Sequence, residues 1–223
     1  METKERIIAQ TYDLFMRYGI RSVSMDDIAY HLAISKKTIY QYYADKDALV
    51  EEVLDIELKR NFEDCQNNKQ KKQNSIHEFF LSMDSMKEMF VQLNPTIVHD
   101  IQKYHPKCFK KLNQHKEDFF YNIIKDNLEL GIMEGLYRPE INIDILTKFH
   151  LETFFITTNT EIFPVSKYNL TKVSQEISEN FLYGIATSNG VEKIEYYKKE
   201  RQDRKSTRLN SSHITRSRMP SSA

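Results

Sequence analysis

Apolar residues recur along this chain at three- and four-residue intervals, and the breaks in that rhythm divide it into helices. Ile7, Thr11, Leu14, Phe15 and Tyr18 fall on one face and predict a first helix over residues 4–18, closed by Gly19 as a C-cap. Met25, Ile28, Ala29 and Leu32 make a second, shorter run. Ser24 stands just before it and Asp27 three residues later, a weaker form of the capping box, so Ser24 reads as an N-cap. Ala33 and Ile34 interrupt the pattern, and Ser35 can cap a third short helix over residues 36–42 or 36–43. There Ile39 and Tyr43 point one way, while Lys36, Lys37, Tyr40 and Gln41 are free to point elsewhere. Two short helices joined by a turn of three or four residues make a helix-turn-helix. The second of them exposes cations with amide and phenol donors, which suits phosphates and the base edges of a major groove.

The periodicity continues from a cap at Asp45 through Val50, Val53, Leu54, Leu58, Phe62 and Cys65, one stripe on a rod about 35–40 Å long at 1.5 Å per residue. The polar run over residues 67–74 is expected to end it in a loop. Ser75 is read as the cap of a stripe through Ile76, Phe79, Phe80, Met83, Met86 or Met89, and Phe90. Pro95 and Pro106 bracket a short helix holding Ile97, Val98 and Ile101. A long helix carries Phe109, Leu112, Phe119, Phe120, Ile123 and Ile124, with Gly131 expected to stop it. After a turn-rich linker, Ile145, Leu146, Phe149, Phe154, Phe155 and Ile156 form one helix. Leu170, Val173, Ile177, Phe181, Leu182 and Ile185 form another, expected to extend towards Gly190 or beyond. No repeat or sustained strand-like alternation is visible, so the fold class is all-α.

Composition narrows the picture. The chain has 223 residues with five Gly, five Pro and no Trp. No apolar run approaches the roughly 20 residues of a membrane span. The charged opening METKERII is read as leading into a helix and not as a signal peptide. Two distant cysteines, Cys65 and Cys108, fit a reduced, cytoplasmic chain better than a disulfide framework or a redox switch. Six histidines precede the last 21 residues, and none forms HxxxH or HExxH, so neither a metal site nor a cofactor is expected. His31 reads as a surface residue of the second helix. The formal net charge is zero, but the last 21 residues, DRKSTRLNSSHITRSRMPSSA, lack apolar periodicity and resemble the translation of a common sequencing adapter. Residues 203–223 are therefore read as a non-native tail. They hold five of the 32 basic and one of the 32 acidic groups, leaving residues 1–202 at 27 against 31, a net of −4. An acidic body with a local basic face would confine nucleic-acid contact to the head.

Residues 8–49 resemble the DNA-binding head of the TetR-type transcriptional regulators. The resemblance rests on Leu14-Phe15 and Gly19, on Val23-Ser24-Met25-x-x-Ile28-Ala29, and on Ile34-Ser35-x-x-Thr38-Ile39-Tyr40-x-Tyr42-Tyr43-x-x-Lys46-Asp47-x-Leu49. Two departures stand out. Leu32-Ala33 replaces the family's frequent Ala-Gly, and Ala33 is expected to turn without a positive φ. Lys37 replaces a frequent Gly and adds a charge facing DNA. The resemblance implies a three-helix head over residues 1–47 and a larger helical ligand-binding and dimerisation domain over residues 48–202. Ser24, Ser35, Lys36, Lys37, Thr38, Tyr40, Gln41, Tyr42 and Lys46 become the DNA-binding candidates. Ser24, Thr38, Tyr42 and Lys46 would hold phosphates, while Tyr40 and Gln41 with Lys36 and Lys37 would read bases or the adjoining backbone. The Met and Phe cluster suggests a pocket for a small apolar effector, with Phe79, Phe80, Met83, Met86, Phe90 and Phe120 as candidate lining. The last two helices, with small residues Gly184, Ala186 and Ser188, would pair with their copies in a homodimer. A two-fold dimer suits a pseudo-palindromic double-stranded operator.

The function these readings imply is a sequence-specific transcriptional regulator, a repressor released by its ligand, without a membrane partner. The alternative is a small helical enzyme or lipid carrier with the head as a structural lobe. Against it, the chain has no GxSxG, no P-loop and no nucleophile–base spacing.

Overall fold

A computed structural model describes the backbone of residues 2–216 and the side chains of residues 2–203. The helices run in order α1 (Thr3–Tyr18), α2 (Met25–Leu32), α3 (Lys36–Tyr40), α4 (Lys46–Lys71), α5 (Ser75–Gln92), α6 (Thr96–Tyr104), α7 (Pro106–His115), α8 (Tyr121–Met133), α9 (Ile143–Thr158), α10 (Leu170–Ile185) and α11 (Ser188–Arg216). Among the described residues there is no strand, only one antiparallel bridge between Tyr137 and Ala186. The non-native reading of residues 203–223 falls almost wholly outside the residues whose side chains are described.

Two apolar cores organise these helices. The first joins α1–α4 through Ile7, Leu14, Phe15, Ile28, Ile39, Leu49 and Val50, and takes in Ile97, Ile101 and Cys108 from α6 and α7. Each such side chain, fully buried, contributes about 1.5–3 kcal/mol of transfer free energy. The second joins α5, α8, α10 and α11 through Ile76, Phe80, Leu128, Tyr137, Leu182 and Ile194. The head is thus built onto the N-terminal third of α4, and its core continues into α6.

Several boundaries differ from the sequence reading. Tyr18, placed on the core stripe of α1, is exposed, because the buried face of α1 is formed by Ile7, Thr11, Leu14 and Phe15. α4 continues to Lys71, so most of the polar run over residues 67–74 is helical and only a short turn remains. Its 26 residues give about 39 Å. Asn74, not Ser75, caps α5, its side chain accepting from the His77 N–H, and Ser75 lies buried in the first turn. The long helix is α7 and α8 joined through one π-helical turn, Lys116–Phe120. Gly131 does not stop it. Gly131 sits under the Tyr137 ring, where a Cβ would come within 2.0 Å of the ring, and the helix ends beyond Met133, where Gly135 turns left-handed (φ 68). α10 stops at Ile185, and α11 is a separate helix.

The body's interior is unusually polar at one point. Glu78 is buried, and its Oε2 accepts from Lys72 Nζ at 3.0 Å and from the Asn127 amide at 3.0 Å. The same amide donates to the Ser75 carbonyl at 2.9 Å, and Asn127 Oδ1 accepts from the Tyr137 hydroxyl at 3.1 Å. A buried carboxylate is tolerable only when paired and hydrogen-bonded in this way. The network ties the start of α5 to α8.

Candidate nucleic-acid interface

The turn between α2 and α3 is held by local hydrogen bonds that the sequence encodes. Ser24 Oγ accepts from the Asp27 N–H at 3.1 Å, and the Asp27 carboxylate accepts from the Ser24 N–H at 2.8 Å and its hydroxyl at 2.6 Å. Those bonds lower the Asp27 pKa from its ordinary value. Ala33 closes α2 in the left-handed region, φ 53 and ψ 41, and its N–H reaches back to the carbonyls of Ala29 and Tyr30. The expectation that Ala33 would turn without a positive φ is therefore corrected: the three-residue connection leaves no other way to reverse the chain. Ser35 Oγ then accepts from the Thr38 N–H at 3.1 Å and starts α3.

α3 is five residues long, shorter than its sequence pattern suggests; residues 41 and 42 continue it as a turn. Ile39 is fully buried and Tyr43 nearly so, which fixes the rotation of the helix. Lys37, Tyr40, Gln41 and Tyr42 consequently face solvent together. The other candidates are already engaged within the chain. Lys36 Nζ pairs with Asp26 Oδ2 on α2 at 2.8 Å, a bond that raises the Lys36 pKa. Thr38 is half-buried, with its hydroxyl 2.8 Å from Ser35 Oγ. The Ser24 hydroxyl serves the capping box. Lys46 was expected to reach outward; its Nζ instead donates to the Ile20 carbonyl at 2.6 Å, and partial burial lowers its pKa. A neighbouring residue escaped the sequence reading. Tyr30, on α2, is 83% exposed beside the exposed His31, with ring centroids 5.7 Å apart. An aromatic off the apolar stripe was the available signal.

Charge at the head is local. Residues 1–47 hold seven Lys and Arg and seven Asp and Glu, so the head is neutral and the net −4 of residues 1–202 lies in the body. Any attraction for a polyanion therefore depends on which cations face outward, not on an overall basic balance.

The head sits on α6. Asp100 accepts from the Arg21 N–H at 2.9 Å, Asn94 donates to the Arg17 carbonyl at 3.1 Å, and His105 Nδ1 lies 2.7 Å from Asp47 Oδ1. Gly19, at φ 80, lets α1 end against Thr96, whose Oγ1 would lie 2.5 Å from any added Cβ. α6 and its flanking residues therefore contact the chain both after α1 and at the start of α4.

Of the pocket candidates, Phe79, Met83 and Met86 line a cavity of about 60 Å³ between α5, α8, α9 and α10. Phe80 and Met83 border a second cleft of about 110 Å³ near α11, whose cations Lys198 and Arg201 pair with Glu179 and Asp84. Phe90 and Phe120 line neither: Phe90 is buried and stacks on Phe154, and Phe120 packs against His115 and Phe119. The expected single pocket is thus corrected to two small spaces, because Phe79 and Phe80, adjacent on α5, point to different sides of it. Burial pushes the Cys65 thiol up to about 11 and raises that of Cys108, so neither supplies a ready thiolate. Among the described residues no group of three His, Cys, Asp or Glu could hold a metal ion, and no helix is long and apolar enough to cross a membrane.

A capped two-helix turn with its second helix anchored by one face and open on the other is a helix-turn-helix. Residues 7–53 match the family model for bacterial regulatory proteins of the tetR family. The match covers α2, α3 and the first turns of α4, so it is the head of this chain that is similar to that family. It is 33% identical over 104 residues to the HTH-type transcriptional regulator YvaF of Bacillus subtilis (strain 168), a match covering 45% of this chain and 53% of that relative, about half its length. It is 24% identical over 188 residues to the HTH-type transcriptional regulator SAB2452 of Staphylococcus aureus (strain bovine RF122 / ET3-1), covering 83% and 92%. In fold it is similar to the transcriptional regulator FadR from Bacillus subtilis, solved in complex with stearoyl-CoA, with a TM-score of 0.65 at 18% identity over 82% of this chain and 100% of that one.

Proposed function

We propose that this regulator is a cytoplasmic homodimer that holds two α3 helices against a pseudo-palindromic operator and represses until a small apolar ligand enters the body. The observation that carries the reading is the rotation of α3: Ile39 and Tyr43 are sunk in the head, leaving Lys37, Tyr40, Gln41 and Tyr42 on one open face. Tyr40 and Gln41 would read base edges, with Lys37 beside them. Tyr42, Thr38, Ser35 and Ser24 would fix register on phosphates, the last two through hydroxyls that also cap helices. Lys36 would leave Asp26 for a phosphate, and Lys46, with two donors beyond the Ile20 carbonyl, would take another. The head over residues 1–47 and the body over residues 48–202 would act as the two working parts.

The dimer reading is supported by α9. Its Ile145 and Phe149 are 61% and 54% exposed, while Thr147, Thr153, Thr157 and Thr158 are buried. Gly184 on α10 is open, with nothing within 4 Å of an added Cβ. An apolar helix face turned outward next to a small residue fits a second copy of the chain. The ligand reading is supported by the cavity at Phe79, Met83 and Met86, and by a related fold having been solved with an acyl-CoA bound. α6 offers the route from body to head through Asp100 and His105.

Gel-shift titration with the DNA upstream of the chain's own gene tests this. Tight, competitor-resistant binding is expected, with Gln41→Ala changing the preferred operator and Lys46→Ala shallowing the salt slope by about one unit. Binding that is only nonspecific and salt-sensitive rejects the regulator reading for this chain, and an unchanged slope removes Lys46 from the phosphate contacts.

A further inference from the structure

The cavity between α5, α8, α9 and α10 has an apolar wall, formed by Phe79, Met83, Met86, Leu128 and Phe181, and one orphaned polar atom. His150, from α9, lines it. The imidazole packs against two aromatic rings, stacked 4.4 Å from the Phe181 centroid at an interplanar angle of 20° and tilted by 34° at 5.2 Å from that of Phe79. Its Nδ1 is cut off from solvent and has no hydrogen-bond partner. A buried polar nitrogen without a partner is uncommon in a folded protein and points to an absent ligand group. The one ionised group beside it in the cavity wall, Glu78, is already matched by Lys72 at 3.0 Å and Asn127 at 3.0 Å, so the cavity carries no unbalanced charge.

We propose that this cavity is a binding site for a small neutral alcohol or phenol, whose hydroxyl hydrogen-bonds His150 Nδ1 while its hydrocarbon part lies against Phe79, Phe181 and the two methionines. This deepens the ligand reading given above and rests on it only for the link to DNA. Four considerations select the class. The walls are aromatic and thioether, which favours hydrocarbon. A hydroxyl can both donate and accept, so it satisfies Nδ1 in either tautomer. A carboxylate would bring a charge that only a protonated His150 could match, and burial holds that ring in its neutral form. An ammonium ligand has no free carboxylate to meet, because Glu78 is engaged. The volume, about 60 Å³, exceeds what one water needs but is below the roughly 150 Å³ of a cavity that holds benzene, so Met83 and Met86 must shift to admit a ring.

Calorimetric titration of the full chain with phenol, toluene and benzoate tests the site, with the imidazole nitrogen shifts of His150 followed by NMR. Phenol is expected to bind roughly tenfold or more tightly than its near-isostere toluene, because toluene leaves Nδ1 unpaired, and benzoate is expected to bind more weakly than phenol. Phenol should move the His150 Nδ1 resonance. His150→Phe should bring phenol and toluene to within about twofold, and His150→Asn, which keeps an amide near the Nδ1 position, should restore part of the preference. Equal binding of phenol and toluene to the unaltered chain, a preference for benzoate, or a preference that survives His150→Phe would each overturn the proposal. A gel shift run in parallel separates the two readings. Phenol that binds at His150 and leaves DNA affinity unchanged supports the site and removes it as the control site. DNA released by a ligand that binds His150→Phe as well as the unaltered chain overturns the alcohol site and leaves ligand control standing.

Discussion

The head and the body solve opposite problems with the same helices. In the head, the apolar side chains that fix α1–α4 are sunk almost completely, and the surface they leave is polar and hydrogen-bonded to itself through Ser24, Asp27, Ser35 and Thr38. In the body, threonines, a glutamate and a histidine nitrogen lie inside while Ile145 and Phe149 lie outside. A unit that would meet its target through surface side chains needs a firmly anchored frame. On the proposed function, the body would meet a second copy through the apolar surface it keeps outside and a ligand through the unmet polar group within.

The largest test of the contrast is in the head core. Ile39→Ala is expected to cost about 2–5 kcal/mol in urea unfolding and to abolish operator binding, since Ile39 is fully buried and sets the rotation of α3. A loss under 1 kcal/mol would mean that α3 is not anchored there. Next, acid should weaken the body. Burial pushes the His150 pKa down to about 4 from 6.5, so the unfolded chain binds the extra proton first. The contribution is complete above pH 6.5 and is lost as pH falls from 6.5 towards 4, about 1–3 kcal/mol in all. His150→Phe should flatten that part of the pH–stability curve; an unchanged curve would show the ring to be solvated.

Smaller still for the fold of one subunit is Phe149→Glu. With a half-exposed side chain it should change monomer stability by under about 1 kcal/mol while shifting the sedimentation coefficient from dimer to monomer. An unaltered dimer would move the interface off α9. The smallest effect is expected at the turn. Ala33→Gly should stabilise the head by about 0.5–1 kcal/mol, because glycine takes the left-handed conformation at φ 53 without a Cβ clash. Destabilisation instead would show that the Ala33 methyl packs usefully.

How far the sequence reached follows the range of each interaction. The caps at Ser24, Ser35 and Asp45 act within three residues, and all were legible and are present in the structure. The orientation of Ile39 and Tyr43 followed from spacing in the same way. Lys46 was not legible, because its partner, the Ile20 carbonyl, lies 26 residues away. Lys36 was missed for a similar reason, since Asp26 stands on the preceding helix. In the body, the stripe of α9 announced an apolar helix but not which part of it would be covered.

The sequence by itself determined that the chain is helical, where the turn between α2 and α3 lies, and which side chains of that segment are sunk inward, because periodicity and capping are properties of a few neighbouring residues. Only the tertiary structure decided that Lys46 turns in to the Ile20 carbonyl, that Phe79 and Phe80 part company across α5, and that His150 Nδ1 is enclosed without a partner. Those outcomes depend on what distant helices bring to the same place, and no local pattern carries that information.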